Sequence, residues 1–191
     1  MPYSIVYADP AWDYAGRTQQ NGKEPTGSAT YHYSTMKIED MKKLPVQSLC
    51  EKNCLLFMWS SSPHLPQAIE LMNAWGFEYK TIAFVWDKQR VNPGYYTMSQ
   101  VEICIVGKKG NIPSPRGSRN TRQFLSQMRG RHSAKPNEIR DRITEMFPTQ
   151  RKLELFARDE VVGWDRWGNE VQSNVELVKS ALKTEKIFAE V

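Results

Sequence analysis

The sequence predicts an α/β fold built around one mostly parallel sheet, and three observations lead to this class. Short apolar runs alternate with segments of helical periodicity, which is typical of a parallel sheet with helical crossovers. Two of the strands are joined by a loop too short for a helical crossover, so we expect one antiparallel pair. The length of 191 residues suits a single domain, and a domain of this size buries about 70% of the surface of its unfolded chain.

The strands are predicted from apolar runs that end at turn-forming residues. The first run ends at Asp9 and Pro10, and the second ends at three serines. Asn-Pro-Gly lies in the loop of the antiparallel pair, which is formed by the third and fourth runs. The five predicted strands cover residues 4–8, 55–59, 81–86, 101–106 and 152–156.

Three helices are predicted between the strands, over residues 37–44, 63–75 and 136–147. Pro45 and Pro148 end the first and the third, and Gly76 caps the second. Beyond them, apolar side chains fall on one face of the C-terminal segment. We therefore divide the chain into a domain over residues 1–172 and a helical tail over residues 173–191.

Composition excludes several classes of protein. No stretch approaches the roughly 18–20 apolar residues that span a bilayer, so no membrane is predicted. The N-terminus lacks the basic region and the long apolar run of a signal peptide. Three cysteines, an odd number, suit buried thiols in the reducing cytoplasm. Cys50 and Cys54 have no second Cys or His pair at ligand spacing, so no metal site is predicted.

The net charge of +5 is concentrated in one segment, the basic loop over residues 111–137. This loop contains six cations and no acid, so the rest of the chain is near −1. Uncompensated charge of this density predicts contact with nucleic-acid phosphates. The predicted contacts are Arg116, Arg119, Arg122, Arg129, Arg131 and Lys135. A second polar segment, over residues 13–31, is placed to close over a flipped-out base.

The tetrapeptide Asp9-Pro10-Ala11-Trp12 directly follows the first predicted strand. In open α/β sheets ligands bind beyond the carboxyl ends of the strands. Asp9 and the Pro10 carbonyl can each accept one hydrogen bond from an N–H group of a planar amine such as adenine N6. These two hydrogen bonds would turn the lone pair of the amine towards an electrophilic methyl group. Trp12 would stack on the base, a contact worth about 1–3 kcal/mol. Positioning and electrostatics then supply the catalysis; the simpler interpretation is a turn that only ends a strand.

A series of short motifs runs from Ile5 to Glu170. They are Ala-Asp-Pro-Ala-Trp at 8–12, Tyr-Ser-Thr-Met at 33–36, Leu-Phe-Met-Trp at 56–59, Ala-Trp-Gly-Phe at 74–77, Val-Trp-Asp-Lys at 85–88, Glu-Ile-Cys-Ile-Val-Gly-Lys-Lys-Gly-Asn at 102–111, Ser-Ala-Lys-Pro-Asn-Glu-Ile at 133–139, Arg-Lys-Leu-Glu-Leu-Phe-Ala-Arg at 151–158 and Gly-Trp-Asp-Arg-Trp-Gly-Asn-Glu at 163–170. Each is weak alone, but their order and spacing together are specific. On these motifs the chain resembles the MT-A type of adenine-N6 methyltransferases, named for the seventy-kilodalton subunit of the mRNA adenosine methyltransferase.

The resemblance implies a Rossmann-like methyltransferase that uses S-adenosylmethionine. It also implies a permuted motif order, with the catalytic motif ahead of the main cofactor-binding strand. Asp9, Pro10 and Trp12 would act on the target amine, and Tyr33 matches a tyrosine near the target base. The implied cofactor contacts are Asp9, Lys109, Arg158, Asn169 and Glu170. A carboxylate at Glu170 could accept hydrogen bonds from both ribose hydroxyls.

Three features depart from the family pattern. Ala11 stands where the usual motif has a second proline, which predicts some lost rigidity but intact chemistry because the acceptor carbonyl belongs to Pro10. Glu160 stands where we expect a histidine that contacts the cofactor. The chain begins too late to contain an upstream strand whose acidic residue contacts the adenine of the cofactor.

The resulting prediction is a bacterial or phage enzyme that transfers a methyl group to the N6 amine of adenine in DNA. Methylation of RNA adenine is the near alternative, since the motif reads only the base. A non-catalytic nucleic-acid-binding subunit on the same fold is another, against which the intact Asp9, Pro10 and Trp12 count. Methylation of the amino group of cytosine is a third. A domain of this size has little room for a separate recognition module, so a homodimer is also predicted.

Overall fold

The computed structural model describes residues 1–12, 36–94, 96–130 and 134–177. The described residues form seven strands and three α-helices. In chain order they are β1 Tyr3–Ala8, α1 Ile38–Lys43, β2 Cys50–Ser60, α2 Leu65–Ala74, β3 Glu78–Asn92, β4 Ser99–Lys109, β5 Phe124–Ser126, α3 Asn137–Met146, β6 Lys152–Leu155 and β7 Trp164–Trp167.

One sheet contains all seven strands, in the order β5-β3-β4-β2-β1-β6-β7. Strand β1 is parallel to the central strand β2 and to β6, β6 is parallel to β7, and β3 is parallel to β5. Only β4 runs against its neighbours, since it is antiparallel to β2 and to β3. The predicted mostly parallel sheet with an antiparallel pair is therefore confirmed.

Helices cover both faces of the sheet, as the alternation of side chains along a strand requires. On one face Leu56 and Met58 of β2 pack with Met41 of α1 and Leu71 of α2. On the other face Phe57 and Trp59 of β2 pack with Ile139 and Ile143 of α3. Each of these side chains is almost completely buried, so the two faces of β2 form the centre of two apolar cores.

The predicted helix ends are confirmed where proline and glycine set them. Helix α1 ends before Pro45, and α3 ends before Pro148. Gly76 follows α2 with a φ of +80°, and a Cβ there would lie 2.9 Å from the side chain of Gln47. A residue with a side chain is therefore disfavoured both by conformation and by space. None of the described helices has the length and apolar character needed to cross a bilayer.

Two strands were not predicted from the sequence. Strand β5 lies inside the basic loop, where only three residues pair and Phe124 is 57% exposed. Strand β7 lies beyond residues 152–156, which the sequence indicates as the last strand, and Asp165 and Arg166 interrupt its apolar pattern. Both strands depend on pairing with a neighbour, and neither has an apolar run of its own.

The predicted helical tail begins within the described residues but mostly lies outside them. Residues 173–177 are not helical, and Leu177 packs into the apolar core with 4% of its surface exposed. The remainder of the tail lies outside the described residues, as does the predicted closing loop over residues 13–31. The division at residue 172 remains a prediction.

Candidate active site

Five of the eight predicted catalytic and cofactor-binding residues meet at one edge of the sheet, where β1, β6 and β7 end. Ala8 pairs with Leu155, and Leu155 pairs with Trp167, so the three strands end in register. Asp9 therefore lies beside the residues that follow β6 and β7, and its backbone N–H donates to the Leu155 carbonyl at 3.4 Å. We call this the active-site edge, and the other end of the same strands the opposite edge. The residues that it collects are Asp9, Pro10, Arg158, Asn169 and Glu170.

Asp9 is held by a network of alternating charges. Lys135 Nζ lies 2.8 Å from each of the two Asp9 carboxylate oxygens and 3.4 Å from the Glu102 carboxylate. Lys88 Nζ donates to the other Glu102 oxygen at 3.3 Å. The Lys135 and Asp9 side chains are only 12% and 17% exposed. Lys135, predicted to contact nucleic-acid phosphates from a surface loop, instead pairs with the predicted catalytic residue Asp9.

Glu102 is the second carboxylate of this network, with 22% of its side chain exposed, and two lysines keep it charged. Burial by itself raises the pKa of Glu102, but the ion pairs with Lys135 and Lys88 outweigh burial and hold the pKa below its usual range. Lys135 also lies over the Trp59 ring, with 5.7 Å from Nζ to the ring centroid. This network passes through β1, β4 and the chain before α3, so it depends on the order of the strands.

A second buried ion pair lies beneath Asp9. Glu154 of β6 accepts a hydrogen bond from Arg140 of α3 at 2.6 Å, and Arg140 also donates to Asn137 Oδ1 at 2.5 Å. Burial raises the pKa of Glu154 more than Arg140 lowers it, and the Asp9 charge raises it further. Glu154 and Arg140 line a pocket together with Tyr7, Asp9, Ala134, Lys135, Phe156, Arg158 and Asp159.

The Asp9-Pro10-Ala11-Trp12 turn is closed by backbone hydrogen bonds. The Trp12 N–H donates to the Pro10 carbonyl at 2.8 Å, and the Met36 N–H donates to the Ala11 carbonyl at 3.0 Å. A carbonyl oxygen has two acceptor positions, so Pro10 retains one for a ligand N–H. The bond from Met36 holds Ala11 in place although it lacks the ring of a second proline.

Trp12 is more enclosed than an open stacking platform. It is 6% exposed, and its indole N–H donates to the Trp59 carbonyl at 3.3 Å. His64 lies against one face of the ring, with 5.8 Å between ring centroids and 18° between the planes. Ser61 Oγ is 2.8 Å from His64 Nδ1, and burial lowers the pKa of His64. No motif marks His64, and only the fold places it behind Trp12.

The loops after β6 and β7 form the predicted cofactor side of the edge. Arg158 Nε lies 3.5 Å from Glu170 Oε1, and these side chains are 22% and 40% exposed. The loops touch through Gly168, where a Cβ would lie 2.1 Å from the Ala157 carbonyl oxygen. Glu160, which replaces the expected histidine, pairs with Arg166 of β7. Asn169 is exposed beside Glu170.

Lys109 lies at the opposite edge, and this contradicts the cofactor contact that the resemblance implies for it. It pairs with Cys54 at the start of the apolar part of β2, whereas Ser60 at the other end of β2 adjoins the active-site edge. Six residues of strand separate the two positions, which is about 20 Å. Lys109 Nζ instead donates to the Gln47 carbonyl at 3.3 Å. The assignment fails because β4 is antiparallel and carries its last residues away from Asp9.

The cations of the basic loop are spread over the whole height of the sheet. Arg116 lies near the end of α3, where its guanidinium is 5.5 Å from the centroid of the Phe147 ring. Arg119 and Arg122 are exposed, and Arg129 is half-buried next to the end of β5. Arg116 thus packs on the core and Lys135 pairs with Asp9, and the phosphate contacts of the basic loop remain a prediction. Tyr33 and Arg131 lie outside the described residues.

The sheet and the placement of Asp-Pro-Ala-Trp at its active-site edge are those of a Rossmann-like methyltransferase. Residues 3–170 match the model of the MT-A70 family, and the chain therefore belongs to that family and is a methyltransferase. The extent of the match confirms the resemblance seen in the motifs from Ile5 to Glu170.

Several curated proteins resemble this chain. It is 48% identical over 184 residues to the type II methyltransferase M.MunI of a Mycoplasma species, which covers 90% of this chain and 79% of that protein. It is 29% identical over 191 residues to an N(6)-adenosine-methyltransferase MT-A70-like protein of Arabidopsis thaliana. It is 27% identical over 179 residues to human METTL3, an N(6)-adenosine-methyltransferase catalytic subunit. These alignments cover 95% and 88% of this chain but only 25% and 28% of the plant and human proteins.

Proposed function

We propose that this protein transfers a methyl group from S-adenosylmethionine to the N6 amine of adenine in DNA. The observation that carries the proposal is the pair of acceptors at the active-site edge, the Asp9 carboxylate and the Pro10 carbonyl. The plant and human relatives are named for N(6)-adenosine methylation, which supports the same target atom. The type II methyltransferase M.MunI is matched over most of its own length. This match favours DNA over RNA as the substrate.

The residues at the active-site edge fit S-adenosylmethionine by their chemistry. Asp9 and Glu154 line the pocket with carboxylates that could hold a cationic group, and Glu170 offers a carboxylate that can accept from two ribose hydroxyls. Arg158 keeps Glu170 turned towards the loop that follows β6. S-adenosylmethionine, when bound, supplies the electrophilic methyl group.

Asp9 can accept from Lys135 and from a substrate amine at the same time. Each carboxylate oxygen has two acceptor positions, and Lys135 occupies one on each oxygen. One adenine N–H would donate to Asp9 and the other to the Pro10 carbonyl. Because both N–H bonds are then held, the N6 lone pair is turned out of conjugation and towards the methyl group. Formation of the N–C bond would break the methyl–sulfur bond, whose electron pair stays on the sulfur, and would leave N6 positive. The Asp9 carboxylate would stabilise this charge until one N6 proton is lost to water.

The test is methyl transfer from tritiated S-adenosylmethionine to mixed-sequence duplex DNA, with RNA in a parallel reaction. The product is digested and the labelled nucleoside is identified by chromatography. We expect N6-methyladenine from DNA, loss of transfer in Asp9→Asn, and ordinary transfer in the control Asp165→Asn at the opposite edge. Label on RNA alone, label on cytosine, or full activity in Asp9→Asn would each overturn the proposal.

We also propose that the enzyme works in the cytoplasm, where bacterial DNA is accessible, and that it forms a homodimer. Light scattering of the purified protein measures the mass directly. The formula mass of one chain is 22.1 kDa, and a measured mass near that value would exclude the dimer.

A further inference from the structure

Acidic side chains are almost missing from one long stretch of the chain. Residues 88–137 contain ten of the 26 basic side chains and one of the 21 acidic ones, Glu102. This stretch therefore carries a charge of +9, and the remainder of the chain carries −4. Glu102 itself is enclosed between Lys88 and Lys135, so it does not offset the charge at the surface.

The β3–β4 hairpin carries part of this charge beyond the sheet. Its ladder runs from Glu78–Lys108 at the opposite edge to Asn92–Ser99, past the level of Asp9. Ser99 lies three residues beyond Glu102, so the end of the hairpin begins about 10 Å from the ion network. The chain after β5 is joined to the same hairpin, because the Gln127 N–H donates to the Asp87 carbonyl at 3.0 Å and the Trp86 indole donates to the Gln127 carbonyl at 2.8 Å.

The end of the hairpin and the residues after β5 share one surface, which we call the tip surface. Gln89, Arg90, Met128, Arg129 and Gly130 line a common depression. We define the tip surface by six side chains, Arg90, Val91, Tyr96, Met98, Met128 and Arg129.

Large apolar side chains are concentrated on the tip surface. Eight large hydrophobic residues are exposed within the described ranges, and four of them are Val91, Tyr96, Met98 and Met128. Tyr96 is fully exposed and has a φ of +64°, a conformation that is strained for a residue with a side chain. Exposed aromatic and apolar groups among arginines match the two components of DNA, stacked bases and phosphates.

We infer that the tip surface is the element that holds duplex DNA beside the flipped-out target adenine. The inference rests on the proposed function and adds the surface that would receive the duplex. Arg90 and Arg129 contact phosphates, and the apolar side chains led by Tyr96 and Met98 lie against the bases next to the vacated position. The ion network from Lys88 to Asp9 joins this surface to the acceptor site over a short distance.

Charge decides between DNA and a second copy of the chain as the occupant. Two copies related by symmetry would bring the same basic stretch together, and like charges repel. A polyanion instead gains from Arg90 and Arg129 on the tip surface and releases counterions on binding. DNA is therefore the occupant that we assign to the tip surface.

The arginines are tested by measuring DNA affinity over a series of salt concentrations. The probe is a fluorescein-labelled mixed-sequence 30-base-pair duplex, and binding is followed by fluorescence polarisation. For Arg90→Ala/Arg129→Ala we expect the slope of log affinity against log salt to fall by about 1.8, since each phosphate contact contributes about 0.9. The control Lys43→Ala/Lys80→Ala removes the same number of cations from α1 and from the start of β3, and its slope should not change. Equal slopes in the wild type and the arginine variant would overturn the inference.

The apolar side chains are tested by initial rates of methyl transfer to native genomic DNA at limiting DNA concentration. For Tyr96→Ala/Met98→Ala we expect a rate about tenfold lower, which corresponds to the loss of one stacking contact. Ile112→Ala is the matched control, because Ile112 is 50% exposed and lies at the opposite edge beside the bond from the Asn111 N–H to Asn53. A rate within twofold of the wild type, or a change of molecular mass from dimer to monomer, would overturn the inference.

These experiments separate the two proposals. If wild-type protein methylates DNA but the tip variants bind and react normally, the proposed function stands and the tip surface is not the DNA contact. If the arginine variant loses salt-dependent DNA binding while no methyl is transferred by the wild type, the tip surface stands and the proposed function fails.

Discussion

The active-site edge and the opposite edge of the sheet use the same kinds of charged residue in different environments. At the active-site edge, Lys135 and Asp9 are enclosed, and Arg140 pairs with Glu154 at 8% and 11% exposure, respectively. At the opposite edge, Lys109 donates to a backbone carbonyl, and Arg151 pairs with Asp165 at 41% and 30% exposure, respectively. A charge that has lost its water depends on its partner, whereas a solvated charge does not. The two edges should therefore respond very differently to the same substitutions.

The largest difference is expected in stability when each ion pair loses its arginine. Arg140→Met leaves Glu154 buried without its partner and should lower the free energy of unfolding by about 3–5 kcal/mol. Arg151→Met removes a half-exposed pair and should cost about 0–1 kcal/mol. Urea unfolding followed by circular dichroism measures both values. Replacing both partners, in Arg140→Met/Glu154→Leu, should recover most of the lost free energy of unfolding. Equal losses in Arg140→Met and Arg151→Met would contradict the expected difference between the two edges.

The two lysines should differ in their effect on activity. Lys135→Met leaves the Asp9 and Glu102 carboxylates facing each other, and we expect kcat/KM to fall about 100- to 1000-fold, as for other groups that organise charge in an active site. Lys109→Met should stay within twofold of the wild type. Steady-state methyl transfer to DNA decides this comparison, and a large loss in Lys109→Met would restore Lys109 to the site.

A smaller difference is expected between two glycines that flank β7. A Cβ at Gly168 would lie 2.1 Å from the Ala157 carbonyl, so Gly168→Ala should push apart the loops that carry Arg158 and Glu170. We expect affinity for S-adenosylmethionine to fall about tenfold, the effect of losing about one charge-assisted hydrogen bond. At Gly163 nothing lies within 4 Å of such a Cβ, although its φ of +83° makes alanine strained. Titration calorimetry should show cofactor affinity unchanged in Gly163→Ala, with only a small loss of stability.

The smallest effects concern pH, and they have opposite signs at the two edges. Burial lowers the pKa of His64 below 6.5, so the unfolded chain takes up the proton first and stability falls as the pH drops below about 6.5. Burial and then the bond to Asp165 raise the pKa of Tyr3 from 10.0 to about 12, so stability falls as the pH rises above 10. The free energy of unfolding, measured at a series of pH values, should fall less steeply at acid pH in His64→Gln than in the wild type. In Tyr3→Phe it should fall less steeply at alkaline pH. The reverse assignment of the two effects would contradict these environments.

Much of the fold could be predicted from the sequence because its signals are local. The apolar runs of β1, β2 and β6 and the prolines that end α1 and α3 act within a few residues. Strands β5 and β7 could not be predicted in the same way, because they have few apolar residues and form only by pairing with β3 and β6. Edge strands of this kind are specified by their neighbours in the sheet.

The same distinction between local and long-range signals applies to the residues of the candidate site. Asp9, Arg158 and Glu170 could be placed from the sequence, since each follows a strand that ends at the same edge. Lys135 could be recognised as basic, but its pairing with Asp9 spans 126 positions of the chain. His64 behind Trp12 carries no motif, and its role in enclosing the indole depends on the 3-10 turn after β2.

The sequence by itself determined the class of fold, the motif that can hold an amine, and the concentration of positive charge in one part of the chain. Only the tertiary structure decided which of those charges meet. The order of strands and the antiparallel direction of β4 brought Lys135 to Asp9 and carried Lys109 to the opposite edge. The physical reason is that apolar periodicity and turn chemistry act over neighbouring residues, whereas the partner of a buried charge is set by contacts between distant parts of the chain.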